Sequence, residues 1–219
     1  MTNDVRQDSQ ELPLKSAPEY VAPTPTETEY RAAEGAESAA CPVEPHPARP
    51  GWLIFCPHRM VDRVTEVTVS DLIGRGIRGV ILDLDNTLVL WHQEEMTEEV
   101  VAWLEGLKAA GLKLCILSNS VLSRRSERIA NRLNCSFVRQ AGKPGKRGFH
   151  RSMAAMGTHP STTAIVGDQM FTDILGGNRV GIYTIMVRPI HKKEFPYTRY
   201  VSRPPERLLL RWFKRKGHL

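Results

Sequence analysis

No apolar run in this chain approaches the roughly 20 residues that would cross a bilayer, so no membrane-spanning helix is expected. The first residues, Met1-Thr2-Asn3-Asp4, lack the basic start and apolar stretch of a secretory signal. Cysteine is scarce. Cys41, Cys56, Cys115 and Cys135 show no Cys-x-x-Cys spacing, which argues against a zinc ribbon or a dithiol redox centre. They read as reduced thiols of a cytoplasmic protein. Cys56-Pro57-His58 has the residue types of a metal or nucleophile site but no partner cluster, and is expected to be structural. Aromatics make up only 7% of the chain, too few for a base-stacking platform, so no nucleic-acid partner is expected. There is no internal repeat.

Charge and proline are abundant but unevenly placed. Residues 1–50 hold nine Asp/Glu against four Lys/Arg, a net −5, and eight of the fifteen prolines. The remainder carries 26 Lys/Arg against 15 Asp/Glu, a net +11. With few large apolar residues, the first 50 cannot bury enough surface to offset the entropy of folding and are expected to form a disordered acidic arm. The folded part is expected to begin near Trp52-Leu53-Ile54-Phe55, followed by a strand over 64–69 and a short helix capped by Ser70-Asp71 and ended by Gly76.

From Ile77 onward strands alternate with helices. Strands are expected at 77–82, 112–117, 136–138, 163–166 and 182–187, each a short apolar run bounded by turn residues. Between them lie helices over 94–110 (apolar side Val100, Val101, Leu104, Leu107), 123–133 (Ile129 and Leu133 inward) and 144–156. Another begins at 172–175 and is closed by Gly176-Gly177. This βαβα rhythm implies an α/β fold, a parallel sheet with helices on both faces.

The strand over 77–82 breaks into Asp83-Leu84-Asp85-Asn86-Thr87. Ligands of open parallel sheets bind at the carboxyl ends of the strands, and carboxylates there need a cation. The next strand ends in Ser118-Asn119, and a later one in Gly167-Asp168 with Asp173 five residues on. Lys143 precedes the helix between them. Together these fit phosphoryl transfer. Asp83 can act as nucleophile, and Asp85 can protonate the leaving oxygen and then activate water. Asp83 and Asp168 are hard oxygen ligands suited to Mg²⁺. Ser118 and Lys143 can hold the phosphoryl oxygens.

Asp83-Leu84-Asp85-Asn86-Thr87, Ser118-Asn119, Lys143-Pro144 and Gly167-Asp168-Gln169-Met170-Phe171-Thr172-Asp173 resemble the four motifs of the haloacid dehalogenase (HAD) superfamily. Gly79–Val89 and Gly167–Arg179 more narrowly resemble its subfamily IIIA phosphatases of the YqeG type, relatives of phosphatidylglycerophosphate phosphatases. The resemblance covers about residues 56–210 and implies a Rossmann-like HAD fold. It makes Asp83 nucleophile and metal ligand, and Asp85 general acid/base with its backbone carbonyl on the metal. Thr87, Ser118, Asn119 and Lys143 then bind phosphate, Asp168 is a Mg²⁺ ligand and Asp173 a supporting residue. Lys146, three residues after Lys143, competes for the lysine role.

Only 32 residues separate Asp85 from Ser118 and 24 separate Ser118 from Lys143. One helix and one strand use up each interval, so no cap domain fits. A site without a lid suits a phosphate on something bulky. The expected divisions are the arm at 1–50, a capless phosphatase domain at 51–203 and a basic amphipathic segment at 204–219. In that segment Arg207, Arg211, Lys214 and Arg215 cluster opposite Leu208, Leu209, Trp212 and Phe213. Such a pattern suits peripheral attachment to an anionic inner membrane surface, or a terminal helix packed on the sheet. A phosphatidylglycerophosphate substrate, suggested by the resemblance, accounts for both the missing cap and this helix. The alternatives are a phosphatase for nucleic-acid ends, which +11 on the folded part would attract, or for phosphoproteins, and a non-catalytic binding module on the same fold.

Overall fold

The computed structural model describes residues 46, 49–91, 93–119, 123–191 and 198–219. The expected acidic arm lies almost wholly outside them. Six strands, β1 (Arg59–Val61), β2 (Gly79–Leu82), β3 (Lys113–Leu117), β4 (Ser136–Val138), β5 (Thr163–Gly167) and β6 (Tyr183–Val187), form one sheet in the order β1-β6-β5-β2-β3-β4. Every pairing is parallel. The helices are α1 (Val69–Gly74), α2 (Glu98–Ala109), α3 (Ser123–Arg132), α4 (Lys146–Met156), α5 (Leu175–Val180) and α6 (Arg203–Arg215).

Parallel strands buried on both faces are apolar at every position rather than at alternate ones. All four residues of β2 and all five of β5 and β6 are buried. Alternate residues then feed two cores. Val80, Leu82, Leu114 and Ile116 pack with Leu104 and Leu107 of α2, while Ile81, Cys115 and Leu117 pack with Phe149 and Met153 of α4. A fully buried leucine of this kind contributes about 1.5–3 kcal/mol. Cys56, Cys115 and Cys135 are free thiols, and burial pushes those of Cys115 and Cys135 up to about 12.

The chain departs from the expected elements where local pattern and packing compete. In place of a strand over 64–69, Val64–Glu66 makes a 3-10 turn, and the edge strand is Arg59–Val61 beside β6. Val64 and Val67 are both buried, three residues apart as one helical turn requires. Thr68, not Ser70 or Asp71, caps α1, its Oγ1 accepting the Asp71 N–H at 3.2 Å. Thr97 caps α2 in the same way, through the Val100 N–H at 3.4 Å, so that helix starts four residues later than the apolar pattern suggests. Val101, expected inward, is 39% exposed. Val100, Leu104 and Leu107 form the buried stripe instead.

Gly176-Gly177 does not stop a helix but sits inside one. A π-type turn, Met170–Ile174, runs into α5, which ends at Gly181. A Cβ on Gly176 would lie 2.3 Å from the Phe149 ring, so glycine there is a condition for packing α5 against α4. The C-terminal helix α6 packs on the domain as well. Phe213 is fully buried among Cys56, Met170, Ile174 and Met186, flanked by Leu209, Leu210 and Trp212. Leu208, expected on the same side, is 68% exposed.

Candidate active site

The sheet order fixes where chemistry can occur. From β2 the chain runs outward through β3 to β4 on one side, then returns to β5 on the other. The crevice at the carboxyl ends beside β2 is therefore the switch point where such sheets bind ligands. Leu82 is in register with both Ile116 and Val166, so Asp83 leaves the sheet level with Leu117 and Gly167, one residue before Ser118 and Asp168 on the neighbouring strands.

Asn86, at φ 61°, turns the chain sharply after β2, a left-handed conformation that asparagine tolerates better than most residues. The Asn86 N–H bonds to Val89 O at 2.7 Å. The turn brings the Thr87 hydroxyl back to donate to Asp83 Oδ2 at 3.2 Å, with Asp168 Oδ1 at 3.5 Å. Across the crevice, Asn119 grips the backbone of Lys143. Its Oδ1 accepts the Lys143 N–H at 2.8 Å, and its Nδ2 donates to Lys143 O at 3.0 Å. Lys143 Nζ then donates to Asp83 Oδ1 at 2.5 Å, Asp173 Oδ1 at 2.7 Å and Leu117 O at 2.9 Å. Lys143 is buried and Lys146 exposed; only the former reaches the carboxylates. Burial alone would lower the lysine ammonium, but Asp173 and Asp83 outweigh it and hold the pKa above the usual range.

Asp173 is placed by the turn that carries it. Its Oδ2 accepts the Gln169 N–H at 3.1 Å. Its carboxyl lies so close to Gly167 that a Cβ there would come within 2.4 Å of it. Burial pushes Asp173 up to about 6 against the pull of Lys143. Asp168 is likewise pushed up by burial, opposed by Arg203. The carboxylates of Asp83, Asp168 and Asp173 offer oxygens within 4.8 Å of one another.

Two arginines complete the site, and neither stands out in the sequence. Arg203, at the start of α6, donates Nη2 to Asp168 Oδ2 and Nη1 to Asp168 O at 2.7 Å and to Glu206 Oε2 at 2.9 Å. Glu206 Oε1 in turn accepts the Met170 N–H at 3.0 Å. Arg125, on α3, donates both Nη1 and Nη2 to Asp85 Oδ1 at 2.8 Å, and its Nε donates to Gln93 O at 2.8 Å. Burial raises the Asp85 pKa, and Arg125 opposes the rise. The only available signal was positional: Arg203 and Glu206 are spaced i,i+3 around two prolines that open a helix.

Asp83, Asp85, Asp168, Asp173 and Glu206 thus face Lys143, Arg125 and Arg203. With every group ionised, that leaves an excess of two negative charges, the charge of one divalent cation. Clustered hard oxygens with that excess fit Mg²⁺.

The molecule is thus a doubly wound parallel α/β protein with a lysine-bridged carboxylate cluster at its switch point. The family model for haloacid dehalogenase-like hydrolases matches residues 67–181, and the chain belongs to that family. It is 37% identical over 165 residues to the "Probable phosphatase YqeG" of Bacillus subtilis, covering 75% of this chain and 95% of that one. It is 28% identical over 170 residues to the "Phosphatidylglycerophosphate phosphatase 1, chloroplastic/mitochondrial" of Arabidopsis thaliana, covering 74% of this chain and 49% of the relative. It is 27% identical over 153 residues to the "Phosphatidylglycerophosphatase GEP4, mitochondrial" of Saccharomyces cerevisiae, covering 62% and 82%. The protein is a phosphatase of the haloacid dehalogenase type, acting on a phosphorylated substrate. Among the described residues no helix is long and apolar enough to cross a membrane.

Proposed function

We propose that the chain is a Mg²⁺-dependent phosphomonoesterase that works through a phosphoryl-Asp83 intermediate on a phospholipid of the phosphatidylglycerophosphate kind. The observation that carries the mechanism is the Lys143 ammonium bridging Asp83 and Asp173 beside Asp168. The Asp83 carboxylate attacks phosphorus, the bond to the lipid glycerol oxygen breaks, and Asp85 gives that oxygen its proton. Water then attacks the phosphoryl group while Asp85 takes the water's proton, which releases phosphate and restores Asp83. Lys143 neutralises charge on the phosphoryl oxygens, helped by Ser118 and Thr87, and Asn119 holds Lys143 in place. Asp83, Asp168 and the Asp85 carbonyl would hold Mg²⁺, which supplies charge neutralisation for a dianion approaching a carboxylate. Asp173 orients Lys143.

The lipid assignment draws on the names of the relatives, on the absence of any cap element among the described residues between Asp85 and Lys143, and on α6. Exposed Trp52 and Leu208 lie with Trp212, Arg211 and Arg215 around a surface groove of about 600 Å³. An apolar patch edged by cations suits contact with an anionic membrane surface. The test is phosphate release from phosphatidylglycerophosphate in mixed micelles, beside p-nitrophenyl phosphate and a 3′-phosphorylated oligonucleotide, with Mg²⁺ or EDTA. A Mg²⁺-dependent preference for the lipid is expected. Release only from the other two would overturn the lipid assignment.

A further inference from the structure

A second groove, of about 620 Å³, lies between the end of β6 and α6. It opens at the same sheet edge as the carboxylate cluster and meets it through Arg203. Arg203 lines it and binds Asp168, while Pro189 lines it and the next residue, Ile190, donates its N–H to Asn86 O at 3.0 Å, beside Asp85. Met60, Met186 and Leu210 supply its apolar surface, and Arg188, Arg203, Arg207, Arg211 and Lys214 line it with positive charge against the one acid, Glu206, which Arg203 already pairs. Arg207, Arg211 and Lys214 are exposed and have no carboxylate partner among the described residues. With Arg203 they form a row up one face of α6, and Arg207 stands about 6 Å along the axis from Arg203 at 1.5 Å per residue.

We infer that this groove is the subsite for the rest of the substrate: Arg207 and Arg211 bind a phosphodiester one glycerol away from the phosphomonoester held at Asp83. The inference rests on the lipid reading above and adds to it a place for the second anion. Neighbouring helical residues three and four apart share a face, so one rigid element sets the distance between the carboxylate cluster and the diester. Exposed guanidinium groups with no carboxylate partner among the described residues, lining a groove that adjoins the carboxylate cluster, are free to take an anion. A phosphodiester matches their paired N–H donors. The apolar surface between them suits the glycerol carbons and the first methylenes of an acyl chain, whereas a simple phosphomonoester would leave the groove unused.

The experiment uses the full chain with Mg²⁺ and two soluble substrates, so that membrane attraction plays no part. One is the deacylated headgroup, a glycerol carrying a phosphomonoester at one end and a glycerophosphodiester at the other. The second is glycerol 3-phosphate, which lacks the diester. The Arg207→Ala/Arg211→Ala variant is compared with Arg215→Ala/Lys216→Ala, which removes the same charge from the last residue of α6 and the one after it, outside this groove. The expected result is a KM for the headgroup raised about tenfold by the first pair, with kcat little changed. Selectivity over glycerol 3-phosphate then falls by the same factor, the second pair has no such effect, and Arg207→Lys/Arg211→Lys, which keeps the charge without the fork, recovers only part of the loss. A headgroup KM unmoved by the first pair, or moved equally by both pairs, overturns the subsite while leaving the lipid reading intact. A wild-type enzyme that cleaves p-nitrophenyl phosphate but neither lipid nor headgroup overturns the lipid reading and the subsite with it.

Discussion

Two basic helices each lend one arginine to the site, and their settings differ. Arg203 of α6 and its partner Asp168 are 10% and 0% exposed at the side chain, and Glu206 closes the network from within the same helix. Arg125 of α3 and Asp85 are 13% and 24% exposed, and the other contact of Arg125 is a backbone carbonyl. The buried latch ties the C-terminal helix to a proposed metal ligand, so α6 and Asp168 hold each other in place. The more open latch holds Asp85, the group proposed to exchange a proton with substrate and water, and it touches the fold lightly. Burial, not the ion pair itself, separates a structural role from a positioning one.

The largest effect is expected at the buried latch. Arg203→Ala strands Asp168 among like charges and should cost about 3–5 kcal/mol of stability, read by urea unfolding in EDTA. Arg203→Lys keeps the charge but loses the fork that reaches Asp168 and Glu206 together, and should fall between the two. Equal stability of Arg203→Ala and wild type would erase the difference between the helices. At the open latch, Arg125→Ala should lower kcat about tenfold with KM little changed and stability reduced by no more than about 1 kcal/mol. A KM effect without loss of kcat would make Arg125 a substrate contact instead of a guide for Asp85. The smallest effect belongs to Arg128, one turn further along α3, whose exposed pairing with Glu94 is wholly on the surface. Arg128→Ala should leave both the melting temperature and kcat at wild-type values.

The same contrast explains what could be read in the sequence. Asp83, Ser118 and Asp168 each follow a short apolar strand directly, so strand recognition alone aligned them at one edge. Lys143 was the harder choice beside Lys146. What sets Lys143 apart is burial against Asp83 and Asp173, a contact across 60 and 30 residues that no local pattern encodes. Arg125 was illegible because it sits in a run of basic residues that looks like a solvated helix face, and Arg203 because it stands before two prolines with nothing local to tie it to Asp168, 35 residues away. Gly176-Gly177 misled for the opposite reason, since glycine commonly ends helices but here admits the Phe149 ring. Thr68 and Thr97 moved two helix starts through caps that outweighed the apolar periodicity.

The central claim is that Asp83 carries the phosphoryl group. Acid-quenching the wild-type enzyme during turnover with Mg²⁺, digesting it and weighing the peptides tests this directly. A single phosphoryl addition on the peptide bearing Asp83, removed by hydroxylamine and absent from Asp83→Asn, is the predicted result, with the activity of that variant at background. Near-wild-type turnover by a folded Asp83→Asn enzyme, or a phosphoryl group on another residue, would contradict the account.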